Sequence, residues 1–218
     1  MRVVSVNVGQ PRVVRIGAED VVSGIWKVPA AGLQAIGPLG VQGDHVANTK
    51  HHGGPDQAVY LYTAQDYDWW TQRLLEHGQD EPLQAGVFGE NLTLSTFGET
   101  EVRIGDRFEM GEVVLEVTAP RIPCATFAAR MNDLSFVRKF RDARRPGCYA
   151  RVMQSGRLQA GDEVRRTPAP PAYPTITEVF DLWYEKSPPT ELLRRVLAAP
   201  VAERARLHYG DLLASRPN

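Results

Sequence analysis

Four prolines between Pro168 and Pro174, in RRTPAPPAYPT, are the strongest constraint on what this chain can fold into. Each proline fixes φ and removes a backbone donor. Packed this closely they make a stiff, extended linker over residues 168–174. The linker divides the chain into a turn-rich part, 1–167, and a helical part, 175–218. In the helical part, Thr175 and Glu178 have the spacing of a capping box ahead of VFDLWY. Ser187 and Pro188 form an N-cap and first-turn pair for TELLRRVLAA. Pro200 opens VAERARLHYGDLLAS. Three short amphipathic helices cannot build a large core alone, so they are expected to pack together and against the larger part.

The first part reads as short strands. Residues 2–8, 11–16, 58–62, 91–95, 113–118 and 148–153 are rich in Val, Leu, Ile and Tyr. With 19 glycines and 16 prolines in 218 residues, turns are frequent. Two turns carry Gly-Asp, at Gly105-Asp106 and Gly161-Asp162, where glycine supplies positive φ and the Asp side chain closes on nearby backbone. Many short strands with close turns predict a barrel or a sandwich. Thr63 can cap a helix through AQDYDWWTQRLLEH, with Tyr67, Trp70 and Leu74 on one face. A second, shorter helix is expected near Leu134–Asp142.

Charge excludes some functions. The net charge is −1, without the basic excess of a nucleic-acid binder. No apolar run approaches a membrane span, and the N-terminus lacks an export signal. Cys124 and Cys148 are therefore expected as reduced thiols in the cytoplasm. The stretch Arg121–Arg151 is locally basic. It can draw in a phosphorylated ligand or form the solvated face of a helix and loops.

Several segments carry chemistry. In PRIPC, Pro120 and Pro123 stiffen a loop after a strand and hold Cys124 near Arg121. Such a thiol is either a thiolate nucleophile or soft metal ligand, or a small buried hydrophobe. Cys148, in PGCYARV, alternates within a strand and reads as packing. In HHGGPDQAVYLY, Gly53-Gly54 lets backbone N–H groups approach an anion, beside His51, His52, Asp56 and Gln57. The paired histidines lack the spacing of a zinc site. In GVFGENLT, two glycines flank Phe88, and Glu90-Asn91 leads into a strand. Lys27 in SGIWKVP and Gly43-Asp44 in VQGDHV complete a set of loops that can line one pocket. No nucleotide-fold, P-loop or serine-hydrolase signature is present.

SGIWKVP, QGDHVANTKHHGGPDQAVYLY, GVFGENLT, IGDRFEMG and PRIPC, in this order, resemble the MOSC domain family in its YiiM-like branch. The helical part resembles the small three-helix domain that commonly follows there. The resemblance spans essentially the whole chain. It implies a mainly β fold with α, a MOSC-type β-barrel followed by a small three-helix C-terminal domain. It also implies binding of the molybdenum cofactor, a molybdopterin, with Cys124 as the molybdenum ligand. The implied activity is two-electron reduction of N-hydroxylated compounds such as hydroxylaminopurines and amidoximes. Asn91 matches an Asn shared widely in the family. Gln57 stands where the branch often has Lys, and CATFAA lacks a basic residue often found after the Cys.

On this reading Lys27, His51, His52, Gly53, Gly54, Asn91 and Arg121 are expected around the cofactor, with cations and N–H groups meeting its phosphate. Asp56 or His52 is expected to deliver the proton when the N–OH bond breaks. The chain has no flavin or nicotinamide motif and too few cysteines for an iron–sulfur cluster, so a separate electron-donating reductase is expected. Two other readings use the same thiol: a carrier of cofactor or sulfur without turnover, and a thiol hydrolase using Cys124 with His51 or His52.

Overall fold

The computed structural model describes residues 1–47, 53–76 and 81–216. His51 and His52 lie outside the described residues. The strands are β1 (Val3–Gly9), β2 (Arg12–Ile16), β3 (Glu19–Ser23), β4 (Lys27–Pro29), β5 (Gln34–Gly37), β6 (Gly40–Val41), β7 (Val59–Thr63), β8 (Leu92–Leu94), β9 (Arg107–Met110), β10 (Val113–Pro120), β11 (Cys148–Gln154), β12 (Gly156–Leu158) and β13 (Val164–Thr167). The helices are α1 (Ala64–Glu76), α2 (Ala125–Arg130), α3 (Phe136–Ala143), α4 (Ile176–Leu182), α5 (Thr190–Ala198) and α6 (Glu203–Ala214). A 3-10 turn, Pro55–Gln57, precedes β7.

Eight strands form one sheet in the order β13-β9-β10-β11-β7-β8-β1-β4. Its pairs are antiparallel except β7 with β8. A three-stranded sheet, β12-β5-β6, and the β2–β3 hairpin complete the strands. The expected barrel is not closed by a continuous ladder. The start of β1 meets the chain just ahead of β13 through an isolated bridge, Arg2 with Glu163, and the Val164 N–H donates to Met1 O. No ladder continues from that contact among the described residues. The architecture is therefore mixed α/β around a large sheet.

Strand alternation builds two cores. In β7, Val59 and Leu61 enter an aliphatic cluster, while Tyr60 and Tyr62 enter an aromatic one with Tyr67, Trp70, Phe88, Phe127, Phe136 and Phe140. All five β7 residues are buried, as a central strand covered on both faces requires. Phe88 sits at the middle of the aromatic cluster, its ring 4.8 Å from Tyr62 and 5.1 Å from Tyr67. The helices after the linker do not form a separate core. Val179, Leu182, Leu193, Val196 and Tyr209 belong to the same aliphatic cluster as Leu115 and Val117 of β10.

Local signals hold where their partners are local. Thr175 and Glu178 form the capping box, with the Glu178 N–H 3.1 Å from Thr175 Oγ1 and the Thr175 N–H 2.7 Å from Glu178 Oε2. At both Gly-Asp turns the Asp carboxylate accepts from the N–H three residues earlier, Arg103 and Gln159. Two helix starts shift. Helix α5 begins at Thr190, not at Pro188, because Pro189 drives the residue before it out of the helical region. Helix α6 begins at Glu203, because the Ala202 N–H is drawn to Thr118 O and the Glu203 N–H to Asp56 Oδ2. Helix α2 was not expected; at six residues it is too short to show a helical period.

Burial raises the phenols of Tyr60, Tyr62, Tyr67 and Tyr149 above their ordinary range, and pushes Tyr209 up to about 12. An acid with a raised folded pKa keeps its proton when the unfolded chain has lost it. Stability from these groups is thus full below about pH 10 and falls as pH rises beyond it. In an alkaline titration, most tyrosinate absorbance is predicted to appear together with loss of the folded circular dichroism. Early ionisation of the buried phenols with the fold intact would contradict this.

Candidate functional site

Strand β10 carries the site, and one irregularity in it decides which face the site occupies. Val117 pairs with Ala150, but Ala119 pairs with Tyr149, so β10 carries an extra residue at Thr118. Such a bulge turns the following side chains to the other face. Val117 and Ala150 point into the aliphatic cluster, whereas Tyr149 packs on the aromatic one. Arg121, two residues after Ala119, therefore enters the aromatic side. The Thr118 hydroxyl donates to Asp56 O, and Thr118 O accepts the Ala202 N–H.

Arg121 is buried, with its guanidinium 4.9 Å from the Tyr60 ring and 4.4 Å from the Phe127 ring. Its Nη1 donates to Phe88 O at 2.7 Å. Its Nε has no hydrogen-bond partner among the described residues. Among the described residues no carboxylate is in ion-pair contact with it. Several other cations of this basic stretch are committed: Lys139 to Asp133, Arg144 to Asp181, Arg145 to Asp66, and Arg151 to Asp56 and Glu116. A buried cation without a counter-charge is costly, so an anion would suit this place.

The loop 121–123 then delivers Cys124 to the N-cap of α2, where its backbone O accepts from Phe127 and Ala128. Cys124 is half-buried and lies between two cavities. The first, about 120 Å³, is of mixed character, and Lys27, His45, Gly89, Arg121 and Tyr149 share its lining with Cys124 and aliphatic residues such as Ile25 and Ile122. Ala47 on its wall adjoins residues 48–52, outside the described residues. The second, about 660 Å³, is largely apolar and lies between the Cys124 loop and helices α4 and α6. Cys148, by contrast, is fully buried on the aliphatic side, and burial raises its thiol well above the ordinary range.

The GVFGEN segment supports this site from behind. Gly89 has φ +77°, and a Cβ there would lie 2.8 Å from Ile25 Cγ1 and 3.4 Å from Arg121 Nη1. Glu90 is fully buried, and its Oε1 accepts from Tyr67 OH, the Gly86 N–H and Thr93 Oγ1 at 2.6–2.7 Å. Burial raises its carboxyl above the ordinary carboxylate range, against these hydrogen bonds. Asn91 is committed to the fold: its Oδ1 accepts the Tyr60 N–H at 3.1 Å, and its Nδ2 donates to Asp44 Oδ2 at 2.8 Å. Asp44 in turn pairs with Lys27. Burial lowers the Lys27 ammonium from its ordinary value, and Asp44 opposes that.

Not every residue singled out in the sequence reaches the thiol. Lys27 and Arg121 share a cavity with Cys124. Asn91 acts at one remove, through Asp44. Gly53 and Gly54 both have positive φ and border the undescribed segment that contains His51 and His52. Asp56 does not line either cavity. Its carboxylate binds Arg151 at 3.0 Å and accepts the Glu203 N–H at 2.7 Å, so it ties α6 to the sheet. Three residues were missed. His45 follows the noted Gly43-Asp44. Tyr149 was legible only as the neighbour that alternates with Cys148. Trp183 comes from beyond the linker, and no local signal brings it here.

Fold and site together place a thiol between a buried cation on one side and an apolar chamber on the other. The profile of the MOSC domain matches residues 48–165, just over half of the chain. The chain is 35% identical over 73% of its length to the uncharacterized protein YflK of Bacillus subtilis, covering 70% of that protein. It is 32% identical over 63% of its length to the protein YiiM of Escherichia coli, covering 61% of it. A Gibberella moniliformis protein named reductase is 30% identical over 66% of the chain, which spans 26% of that protein. The crystal structure of YiiM from Geobacillus stearothermophilus superposes with a TM-score of 0.76 at 25% identity, covering 97% of this chain and 98% of that one. The chain belongs to the MOSC domain family and is YiiM-like. No helix among the described residues is long and apolar enough to cross a membrane.

If Asn91, Asp44 and Lys27 act as one chain, removing the cation alone leaves a buried carboxylate unpaired. Lys27→Met is predicted to cost about 3–5 kcal/mol in urea denaturation. The double variant Lys27→Met/Asp44→Leu should recover part of that loss, because it removes the unpaired charge while the Asn91 Nδ2 and the Gly9 N–H lose their acceptor. A Lys27→Met protein as stable as wild type would show that the pair is not held in the fold.

Proposed function

We propose that this protein is a molybdenum cofactor-dependent reductase of N-hydroxylated compounds. The observation that carries the reading is Cys124, a thiol on a stiff loop, lining one cavity with a buried guanidinium that has no carboxylate partner among the described residues. The residues present fit a molybdopterin. A thiolate is a soft ligand suited to such a metal. The orphaned Arg121 Nε and its buried charge suit a phosphate or another anionic group of the cofactor. MOSC membership and a relative named reductase agree in kind with this activity.

When bound, the cofactor supplies two electrons at the metal. The balance is R–NH–OH plus two electrons and two protons, giving R–NH₂ and water. The N–O bond breaks and the oxygen leaves as water. The electrons come from a separate reductase, or from a reduced dye in vitro. The chain's own residues hold the anion through Arg121, present the thiol through the α2 N-cap, and exclude water with apolar walls. Tyr149 lines both cavities, and burial keeps its phenol protonated, so it is placed to donate a hydrogen bond to the departing hydroxyl. Asp56 is not assigned that role, since its carboxylate is committed to Arg151 and α6. We place the protein in the cytoplasm, where thiols stay reduced.

Protein purified from cofactor-competent cells is predicted to carry about one molybdenum and one pterin per chain, because the thiol loop occurs once. Cys124→Ser exchanges a soft thiolate for a hard hydroxyl and should lose dye-driven reduction by orders of magnitude, with the fold retained. Cys148→Ser should stay near wild type in activity. Zinc in place of molybdenum, or equal losses from both substitutions, would reject the proposal. Molybdenum and pterin bound without turnover would favour a carrier.

A further inference from the structure

The donor set around Cys124 suits a molybdopterin, but the space beside it does not. The cavity that Cys124 shares with Arg121 is about 120 Å³. Sites for small organic ligands run to about 300–1,000 Å³. One wall of the cavity differs in kind from the rest. Val21, Val22 and Ser23 come from the β2–β3 hairpin, in which no residue is buried. The hairpin pairs with no other strand among the described residues, and nothing from Gln10 to Gly24 belongs to either hydrophobic cluster. A two-stranded ribbon alone is marginal in water.

The base of the ribbon, by contrast, is fixed. A Cβ at Gly9 would lie 1.9 Å from Gly24 O, and one at Gly24 would lie 2.0 Å from His45 O, so three backbone segments touch there. The Gly9 N–H donates to Asp44 Oδ1 at 2.8 Å, which ties this crossing to Lys27 and Asn91. A clasp joins the hairpin to the helix that follows Cys124. Arg12 of β2 and Arg130 of α2 lie over the same Trp26 ring, 5.5 and 5.7 Å from its centre. Neither cation is in an ion pair among the described residues, and Arg130 Nε has no hydrogen-bond partner among them. Such contacts hold weakly near solvent.

We infer that the β2–β3 hairpin is a gate over the cavity beside Cys124. It swings about Gly9 and Gly24 to admit a molybdopterin and closes over it, with Arg12 on Trp26 as the clasp. The inference rests on the cofactor reading of Cys124 and Arg121. It gives Arg12 and Trp26 a part in the rate of cofactor exchange and none in affinity, because the clasp forms with the cavity empty.

The test measures entry and exit rates of free molybdopterin, by pterin fluorescence, in wild type and Arg12→Gln. Arg12 is exposed, so the fold should tolerate its loss. A clasp that forms with and without cofactor slows both directions alike. Arg12→Gln should therefore raise both rates by roughly two- to fivefold and leave Kd unchanged. Arg12→Lys, which keeps a cation, should restore them. If Arg12 instead attracted the charge of the cofactor, entry would slow and Kd would rise, and the proposal would be overturned. Rates equal to wild type would also overturn it. If wild type takes up no molybdopterin, the cofactor reading fails, and amide hydrogen exchange of the apoprotein decides the gate. Residues 12–23 opening as one unit, roughly two- to fivefold more often in Arg12→Gln, would uphold it. Exchange there as slow as in β7, or unchanged by the substitution, would overturn it.

Discussion

The buried guanidinium of Arg121 is the constraint on which the site depends. Taking a cation out of water costs several kcal/mol even after relaxation. The ring faces of Tyr60 and Phe127 return about 2 kcal/mol each when desolvated, and the Phe88 carbonyl adds one charge-assisted hydrogen bond. These contacts explain why an aromatic cluster lies on this face of the sheet. The glycine at 89 has another cause: its φ is +77°, and a Cβ there would lie 2.8 Å from Ile25 Cγ1. Among the described residues the cation has no carboxylate partner, and the thiol lies three residues further along the same loop. On the proposed reading, this arrangement suits an anion and a soft metal at one point.

The bulge at Thr118 gives this point its position between two layers. Without the extra residue, Arg121 would face the aliphatic core with Val117. With it, the end of β10 crosses to the aromatic side. The freed backbone and hydroxyl of Thr118 meanwhile hold the 3-10 turn at Asp56 and the start of α6. The same residue thus orients the thiol loop and docks the C-terminal helices beside it. The chamber that those helices close follows from that docking.

Much of the fold was legible because its causes are local. The strands at Val59–Thr63 and Cys148–Gln154 follow from short runs rich in Val, Leu and Tyr, and the α4 start follows from Thr175 and Glu178. Cys124 was legible because Pro120 and Pro123 make the loop rigid. The rest depends on contacts distant in sequence. Asn91 and Asp56 read as ligand-facing polar groups, yet the fold uses them to hold Asp44 and α6. Nothing near Asp56 announces Arg151 or Glu203. The barrel suggested by many short strands depends on whether β1 and β13 share a ladder, which strand composition does not encode. Trp183 and His208 meet only because α4 and α6 pack on β10.

The central claim is that Cys124 sulfur binds molybdenum. Molybdenum K-edge X-ray absorption of the holoprotein, wild type against Cys124→Ser, tests it most directly. The account predicts one fewer sulfur neighbour around the metal in the variant, with the pterin sulfurs kept. An identical sulfur shell in both proteins would contradict it.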